Sequence, residues 1–269
     1  MNIPRSHAVP MTVDEWRLLP FEPGWKCEYW DGKAHYSPRC HAVVTTIAVA
    51  PRDVNTDCLF RQPSESDIEP LTPVYVAAFR ETIEYFGQSQ AQVAEAARRD
   101  LTNYFAREHG RPTSASCLAI APGPNPDEET FAGAAIVTST ENGPLLYLLF
   151  VAPPWQRRGL ATAMVAAAIN ELHELGEKTL TSRYHIGNEQ SLTWHQRFGF
   201  VEEPDLRRAR LYLQQSKVEL WRREKIGGLT AEEHAKLTAD VASWEAEVEK
   251  LERIEDQQGF EAVHPMARW

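Results

Sequence analysis

The sequence predicts an α/β (α+β) protein. An antiparallel strand meander leads into a β-α-β-α-β run, with a small β-meander before it and a helical hairpin after it. Three observations carry the prediction. The apolar period changes to helical spacing near residue 76, an apolar strand at 145–151 runs straight into an alanine-rich helix, and leucines recur seven residues apart beyond Pro204.

Residues 1–54 read as short extended pieces at 26–30, 33–36 and 42–50, a small N-terminal β-meander. Asp31-Gly32 joins the first two pieces, and both residues tolerate the positive φ of a tight hairpin turn. A strand at 57–61 and a Pro- and Ser-containing stretch at 62–73 lead to helical sequence, where Val76, Phe79, Ile83 and Phe86 share a spacing. After Gly87 a second helix covers about 90–107, with Val93, Ala97, Leu101, Tyr104 and Phe105 near one face. Strands follow at 117–121 and 131–139, parted by the turn-rich segment 123–129, and Glu141-Asn142-Gly143 turns the second into 145–151. The alanine-rich helix stops at Gly176. A strand at 178–184, a helix opening near Asn188 and a strand from Gly199-Phe200 complete the run.

Past Pro204 the seam residues are Leu206, Leu213 and Leu220, then Leu237, Val241, Trp244, Val248 and Leu251. Gly227-Gly228 breaks the pair of helices, and Thr230 with Glu233 forms a capping box that restarts the second. The charged residues between 245 and 256 read as a solvated helix face. The apolar tail reads as a last strand. The expected organisation is therefore 1–54, a main domain at 55–204, a hairpin at 205–258 inserted before a final strand, and that strand at 259–269.

A chain of 269 residues can bury one large core, and 43% hydrophobic with 25% charged residues exclude a disordered or fibrous protein. The net charge of -10 repels phosphate backbones, so no nucleic-acid partner is expected and any anionic ligand must be held locally. The apolar runs fall short of the roughly 20 residues that span a bilayer, and the N-terminus lacks the apolar stretch of a secretory signal. No membrane partner is expected, and a cytoplasmic location with reduced thiols is. Cys27, Cys40, Cys58 and Cys117 form no C-x-x-C pair. Even with His35 and His41 near Cys40 the spacing fits no zinc pattern, so no metal is expected.

The informative segment is 150–162, where an apolar strand passes Pro153-Pro154-Trp155-Gln156-Arg157-Arg158-Gly159 and enters a helix. First-turn N–H groups have no intrahelical partner and carry the positive end of the helix dipole, so a pyrophosphate can be bound mainly by main chain. Gly159 and Ala161 keep side chains out of its way, and Arg157 and Arg158 add local positive charge. The plain alternative is a strand-loop-helix connection with its arginines in solvent.

The pattern V-x-P-x-x-Q-R-R-G-L-A, from Val151 to Ala161, resembles the acyl-CoA-binding motif of the GCN5-related N-acetyltransferases (GNAT). Downstream, Asn188, Ser191, His195, Gly199 and Phe200 fall at the spacing of the family's N-x-x-A-x-x-x-Y-x-x-x-G-F element. The resemblance covers about 55–204. It implies a mixed, mostly antiparallel central sheet flanked by helices, splayed central strands, and acetyl-CoA (coenzyme A) as acyl donor. Residues 26–38, with EYWDG, faintly resemble the start of Uma2-type nucleases, but no carboxylate and lysine cluster for a metal follows.

By this resemblance the reaction is direct attack of a primary amine, on a small molecule or a peptide, at the acetyl thioester. The backbone at Phe150 and Val151 is then expected to pair with the pantetheine arm and offer an N–H to the thioester oxygen. The N–H groups of Arg157, Arg158, Gly159, Leu160, Ala161 and Thr162 are expected to hold the pyrophosphate, with Gln156 shaping the loop. Asn188 orients either a cofactor amide or the following helix. His195 stands where the family has a tyrosine, and is either a general acid toward the leaving thiolate or a packed histidine. Tyr184 and Glu141 are further catalytic candidates, and Tyr147, Ser182 and His185 are candidate substrate contacts. Tyr147, His185 and Glu189 also lie on elements that can face the acceptor and supply a base. Ser182 and Tyr184 replace aliphatics usual in the family, which points to a more polar acceptor channel. The alternative function is a non-catalytic acyl-CoA-binding regulatory or interaction module. The amphipathic seam of the hairpin also offers a surface for a homodimer.

Overall fold

The computed structural model describes residues 8–122 and 130–268, so the turn-rich segment 123–129 lies outside the described residues. The chain divides into two compact units, Met1–Val44 with Tyr184–Thr193 and Glu202–Trp269, and Thr45–Arg183 with Trp194–Val201.

In the first unit, β1 (Ala8–Pro10), β2 (Trp25–Trp30) and β3 (Lys33–Pro38) form an antiparallel sheet in the order β1-β3-β2. Asp31 and Gly32 make the β2–β3 turn with φ of 51° and 68°. The short helix α1 (Val13–Arg17) is fixed by a capping box between Thr12 and Glu15. The piece at 42–50 does not extend this meander. It forms β4 (Ala42–Ala48), whose Val43, Val44 and Thr45 are each 1% exposed, and it joins the larger sheet. A run apolar on successive residues needs cover on both faces, which a small meander cannot give.

The larger sheet adds β5 (Leu59–Arg61), β6 (Arg111–Pro112), β7 (Cys117–Ala121), β8 (Thr130–Thr140), β9 (Gly143–Val151), β10 (Thr179–His185) and β11 (Val201–Glu202). Its order is β11-β4-β10-β9-β8-β7-β5, with β6 on β8. The pairs β5–β7, β7–β8, β6–β8 and β8–β9 are antiparallel, whereas β10 runs parallel to β9. The sheet is thus mixed and mostly antiparallel.

Helices cover it. On one face α2 (Ile68–Phe79) and α3 (Gln90–Phe105) bury Leu71, Tyr75, Val93, Ala97, Leu101 and Tyr104 against Leu118, Ala134, Ile136 and Phe150. Helix α2 starts well before the helical spacing read near residue 76 and contains Pro73, while Ile83–Tyr85 is a separate 3-10 turn. Asp67 explains the early start: its carboxylate accepts from the Ser64 N–H at 2.7 Å and from both Arg61 Nη atoms, fixing the chain just ahead of Ile68. On the other face α4 (Leu160–Glu174) buries Met164, Ile169 and Leu172, each worth about 1.5–3 kcal/mol as a covered side chain. Gly133 on β8 sets this closeness. A Cβ there would stand 2.5 Å from the Phe150 carbonyl oxygen and 3.2 Å from Met164 Cε. Helix α5 (Glu189–Phe198) follows β10.

The C-terminal hairpin pairs α6 (Leu206–Ile226) with α7 (Ala231–Gln258). Thr230 Oγ1 accepts from the Glu233 N–H, and the Glu233 carboxylate accepts from the Thr230 N–H. Asp205 caps α6 through the Arg208 N–H at 3.0 Å and lies 3.3 Å from His41 Nε2. Burial is confined to the base, at Leu206, Ala209, Val248 and Leu251. The tail does not form the expected last strand. Phe260–Ala262 and Pro265–Arg268 are 3-10 turns, and Val263, fully buried, plugs the hairpin base while its carbonyl accepts from the Leu206 N–H at 2.9 Å. The sheet takes its extra strand from β4 instead. Among the described residues no helix is long and apolar enough to cross a membrane, and no group of His, Cys, Asp and Glu side chains could hold a metal.

Candidate active site

The pairing of β9 changes along its length. Its register with β8 shifts between Ile136 opposite Leu148 and Val137 opposite Leu146, so Tyr147 is an extra residue, a β-bulge. The bulge breaks the period of two. Leu146, Leu149 and Val151 pack on the α4 face, but Tyr147 and Leu148 both pack with Phe150 on the α2–α3 face. Strand β10 pairs with β9 at Leu145–Thr181 and Leu146–Ser182 only, so its ladder ends where the bulge begins. From Tyr147 onward that edge of β9 presents main-chain groups beside a widening gap.

At the end of β9 the chain makes a sharp turn into α4. Pro153–Trp155 is one 3-10 turn, and the Gln156 Nε2 amide donates to the Val151 carbonyl at 2.9 Å, tying the loop to the strand end. Arg157 is left-handed with a φ of 61°, and Gly159 follows at 81° as the cap of α4. A glycine cap has no side chain to satisfy the first-turn N–H groups, and a Cβ on Gly159 would meet nothing within 4 Å. The Arg158 guanidinium lies over the Trp155 ring, 5.2 Å from its centroid. Gln156 to Gly159 and Thr162 are exposed, whereas Leu160 anchors the turn in the core. With no acidic residue in the first turn, the end of α4 is open and positive.

His195 and Ser182 come together. Ser182 Oγ and His195 Nε2 share a hydrogen bond of 2.8 Å, at 2% and 4% exposure, with the Trp194 and Phe200 rings edge-on to the imidazole. The Ser182 hydroxyl therefore braces the histidine rather than lining a polar acceptor channel. Tyr184 donates to Glu202 at 2.6 Å and packs with Val43 and Ile186, and burial followed by the Glu202 carboxylate pushes its hydroxyl pKa up. This is a packing role, not the catalytic one expected. His185 spends both ring nitrogens locally: the Gly187 N–H donates to Nδ1 at 3.0 Å, and Nε2 bonds the Arg39 carbonyl. Asn188 Oδ1 accepts from the Ser191 N–H at 3.0 Å, so its side chain caps α5, and Glu189 is exposed in the first turn of that helix. Glu141 sits in the β8–β9 turn, at the opposite end of β9 from Val151. Eight residues of strand at about 3.3 Å each separate the two, so Glu141 is no base for chemistry at the strand end.

Sequence reasoning missed a polar cluster on the α2–α3 face. Tyr75, 2% exposed, donates to Asp100 Oδ2 at 3.0 Å and is 2.6 Å from the Tyr85 hydroxyl, so Tyr85 is the donor of that second bond. His109 stacks on Tyr147 with centroids 4.9 Å apart. Burial and then Asp100 raise the pKa of the Tyr147 hydroxyl, while Arg183 opposes the shift. Arg183 is half-buried, and its burial lowers its basicity. Both tyrosines and the arginine stay in their ordinary charge states near neutrality. An arginine inside a strand between Ser182 and Tyr184 was the available signal.

Comparison with known proteins gives a consistent picture. A family model described as an acetyltransferase (GNAT) domain matches residues 57–201, more than half of the chain. Similar solved structures include a GCN5-related N-acetyltransferase from Sphaerobacter thermophilus, 14% identical with a TM-score of 0.39 over 60% of this chain and 48% of that one. A conserved protein from Staphylococcus epidermidis is also 14% identical, with a TM-score of 0.42 over 60% and 57%. The chain thus spans about half the length of these structures. Comparison with curated proteins gives no match. The bulged strand, the left-handed turn and α4 all lie within the matched span, and the chain belongs to the GNAT acetyltransferase family.

Proposed function

We propose that the chain is an N-acetyltransferase that moves the acetyl group of acetyl-CoA to a primary amine by direct attack. The observation that carries this reading is the turn from Gln156 to Thr162: a glycine-capped helix start with open space before Gly159, two arginines and no acidic side chain. These residues fit an anionic nucleotide. Acetyl-CoA would supply the activated thioester. The N–H groups from Arg157 to Thr162 would bind its pyrophosphate, with Arg157 and Arg158 adding charge. Gln156 holds the loop to the Val151 carbonyl, which keeps the edge of β9 at a fixed distance from that turn. The main chain at Phe150 and Val151 would orient the pantetheine arm and donate to the thioester oxygen. His195, braced by Ser182, is the candidate donor of a proton to the departing sulfur.

Titration calorimetry of the full chain with acetyl-CoA tests the reading, together with thiol release on a panel of amines. Gly159→Glu places a carboxylate in the open space of a left-handed cap, and we expect it to abolish binding. Equal affinity in the variant would sink the donor assignment. The 4% exposure of His195 favours a second reading, a non-catalytic acyl-CoA-binding module. Binding without thiol release from any amine would select it.

A further inference from the structure

Arg183 is the first residue of β10 beyond its ladder with β9, and Tyr147 is the first residue of β9 beyond it, so the parallel register sets them opposite one another where the strands part. Both belong to the α2–α3 face. Leu180 lies in the core on the α4 face and Ser182 bonds His195, so alternation turns Arg183 the other way. Its surroundings there are aromatic: Tyr147, stacked by His109, shares a cluster with Tyr75, Phe79, Tyr85 and Phe150. A half-buried guanidinium loses hydration, and a protein with a net charge of -10 has no general need of a cation in such a place.

The geometry points to Arg183 as the specificity residue of the acceptor pocket, holding the carboxylate of an acceptor that carries an amine and a carboxylate in one small molecule. The inference rests on the N-acetyltransferase reading and deepens it. The anion read by Arg183 is not a phosphate of the donor, because the turn that fits the pyrophosphate belongs to α4, on the other face. A guanidinium matches a carboxylate with two parallel N–H donors, and the flat Tyr147 ring beside it bounds the site on one side. Asp100 supplies the complementary charge. It faces Tyr147 from α3 and is tied to Tyr75, so a zwitterion with its amine toward the tyrosines and its carboxylate toward Arg183 finds opposite charges at both ends. An acceptor with two amines meets Arg183 as a like charge.

The test uses the full chain and needs no variant to begin. Thiol release from acetyl-CoA is measured with free amino acids, with the carboxamide of each, and with short diamines. The wild-type protein should prefer the acid over its amide by about ten- to a hundredfold in kcat/KM, the range for a hydrogen-bonded charged contact. Arg183→Gln should bring that ratio near one, through KM for the acid rather than kcat, and Arg183→Lys should restore part of it. Equal rates on acid and amide, or turnover confined to diamines, would overturn the assignment of Arg183 while leaving the transferase reading intact. Failure of acetyl-CoA to bind at all would instead remove the reading on which the assignment rests.

Discussion

Ser182 and Arg183 are neighbours on β10, yet they serve opposite faces of one sheet. Ser182 is almost fully buried and spends its hydroxyl on His195, so its polarity is satisfied within the fold. Arg183 stands where the ladder stops and the strands part, among tyrosines and half in contact with solvent. Two polar substitutions in one strand therefore differ in kind. One builds a rigid internal pair, and the other presents a charge. What separates them is the alternation of the strand combined with the position of the bulge at Tyr147.

The largest effect expected on this contrast comes from the buried pair. If His195 is the proton donor, His195→Phe should lower kcat by about a hundredfold or more while the affinity for acetyl-CoA, read by calorimetry, holds. Ser182→Ala should fall in the same direction by less, since it frees the imidazole without removing it. Unchanged kcat in His195→Phe would make the pair a packing device and erase the functional half of the comparison. A smaller effect, on stability, is expected from Gly133, which lies between the faces. Gly133→Ala puts a methyl group against the Phe150 carbonyl and Met164, and should cost about 3 kcal/mol in chemical denaturation. A stable variant would mean that β8 and α4 can move apart without loss.

Much of this was legible in the sequence. The motif from Val151 to Ala161 located the strand end, the turn and α4, because the same local physics, a glycine cap and orphan N–H groups, produces both the pattern and the site. The Asp31-Gly32 turn and the Thr230–Glu233 box were readable for the same reason. Long-range facts were not. Whether 42–48 joined a meander or the main sheet depended on which strand would cover it, and Val263 could serve as strand or plug equally well by composition. Helix α2 was misplaced because Pro73 looked like a loop residue, while the contact that starts the helix, Arg61 with Asp67, spans a strand and a turn. Nor does any local pattern announce a one-residue bulge, which is what carries Tyr147 to the face of Arg183.

The smallest expected effect concerns the Arg61–Asp67 pair, which holds the start of α2 on the acceptor face. Burial alone would raise the Asp67 pKa, but the Arg61 guanidinium and the Ser64 N–H and hydroxyl outweigh it and hold the carboxyl below its usual range. A carboxylate depressed in the folded state contributes its full stability above the unfolded pKa, near 3.9, and loses it as pH falls through the folded value. Asp67→Asn keeps the shape but not the charge, and should cost about 2 kcal/mol at pH 7. The gap between variant and wild type should close progressively below about pH 4. Because α4 holds its own face through apolar contacts with no comparable buried ion pair in its core cluster, acid should loosen Tyr75 and Tyr85 before it loosens Met164 and Ile169. Hydrogen exchange at pH 7 and at pH 3 resolves the two faces. Protection lost equally on both would show that the sheet responds to acid as one body and that Asp67 anchors no separate part of it.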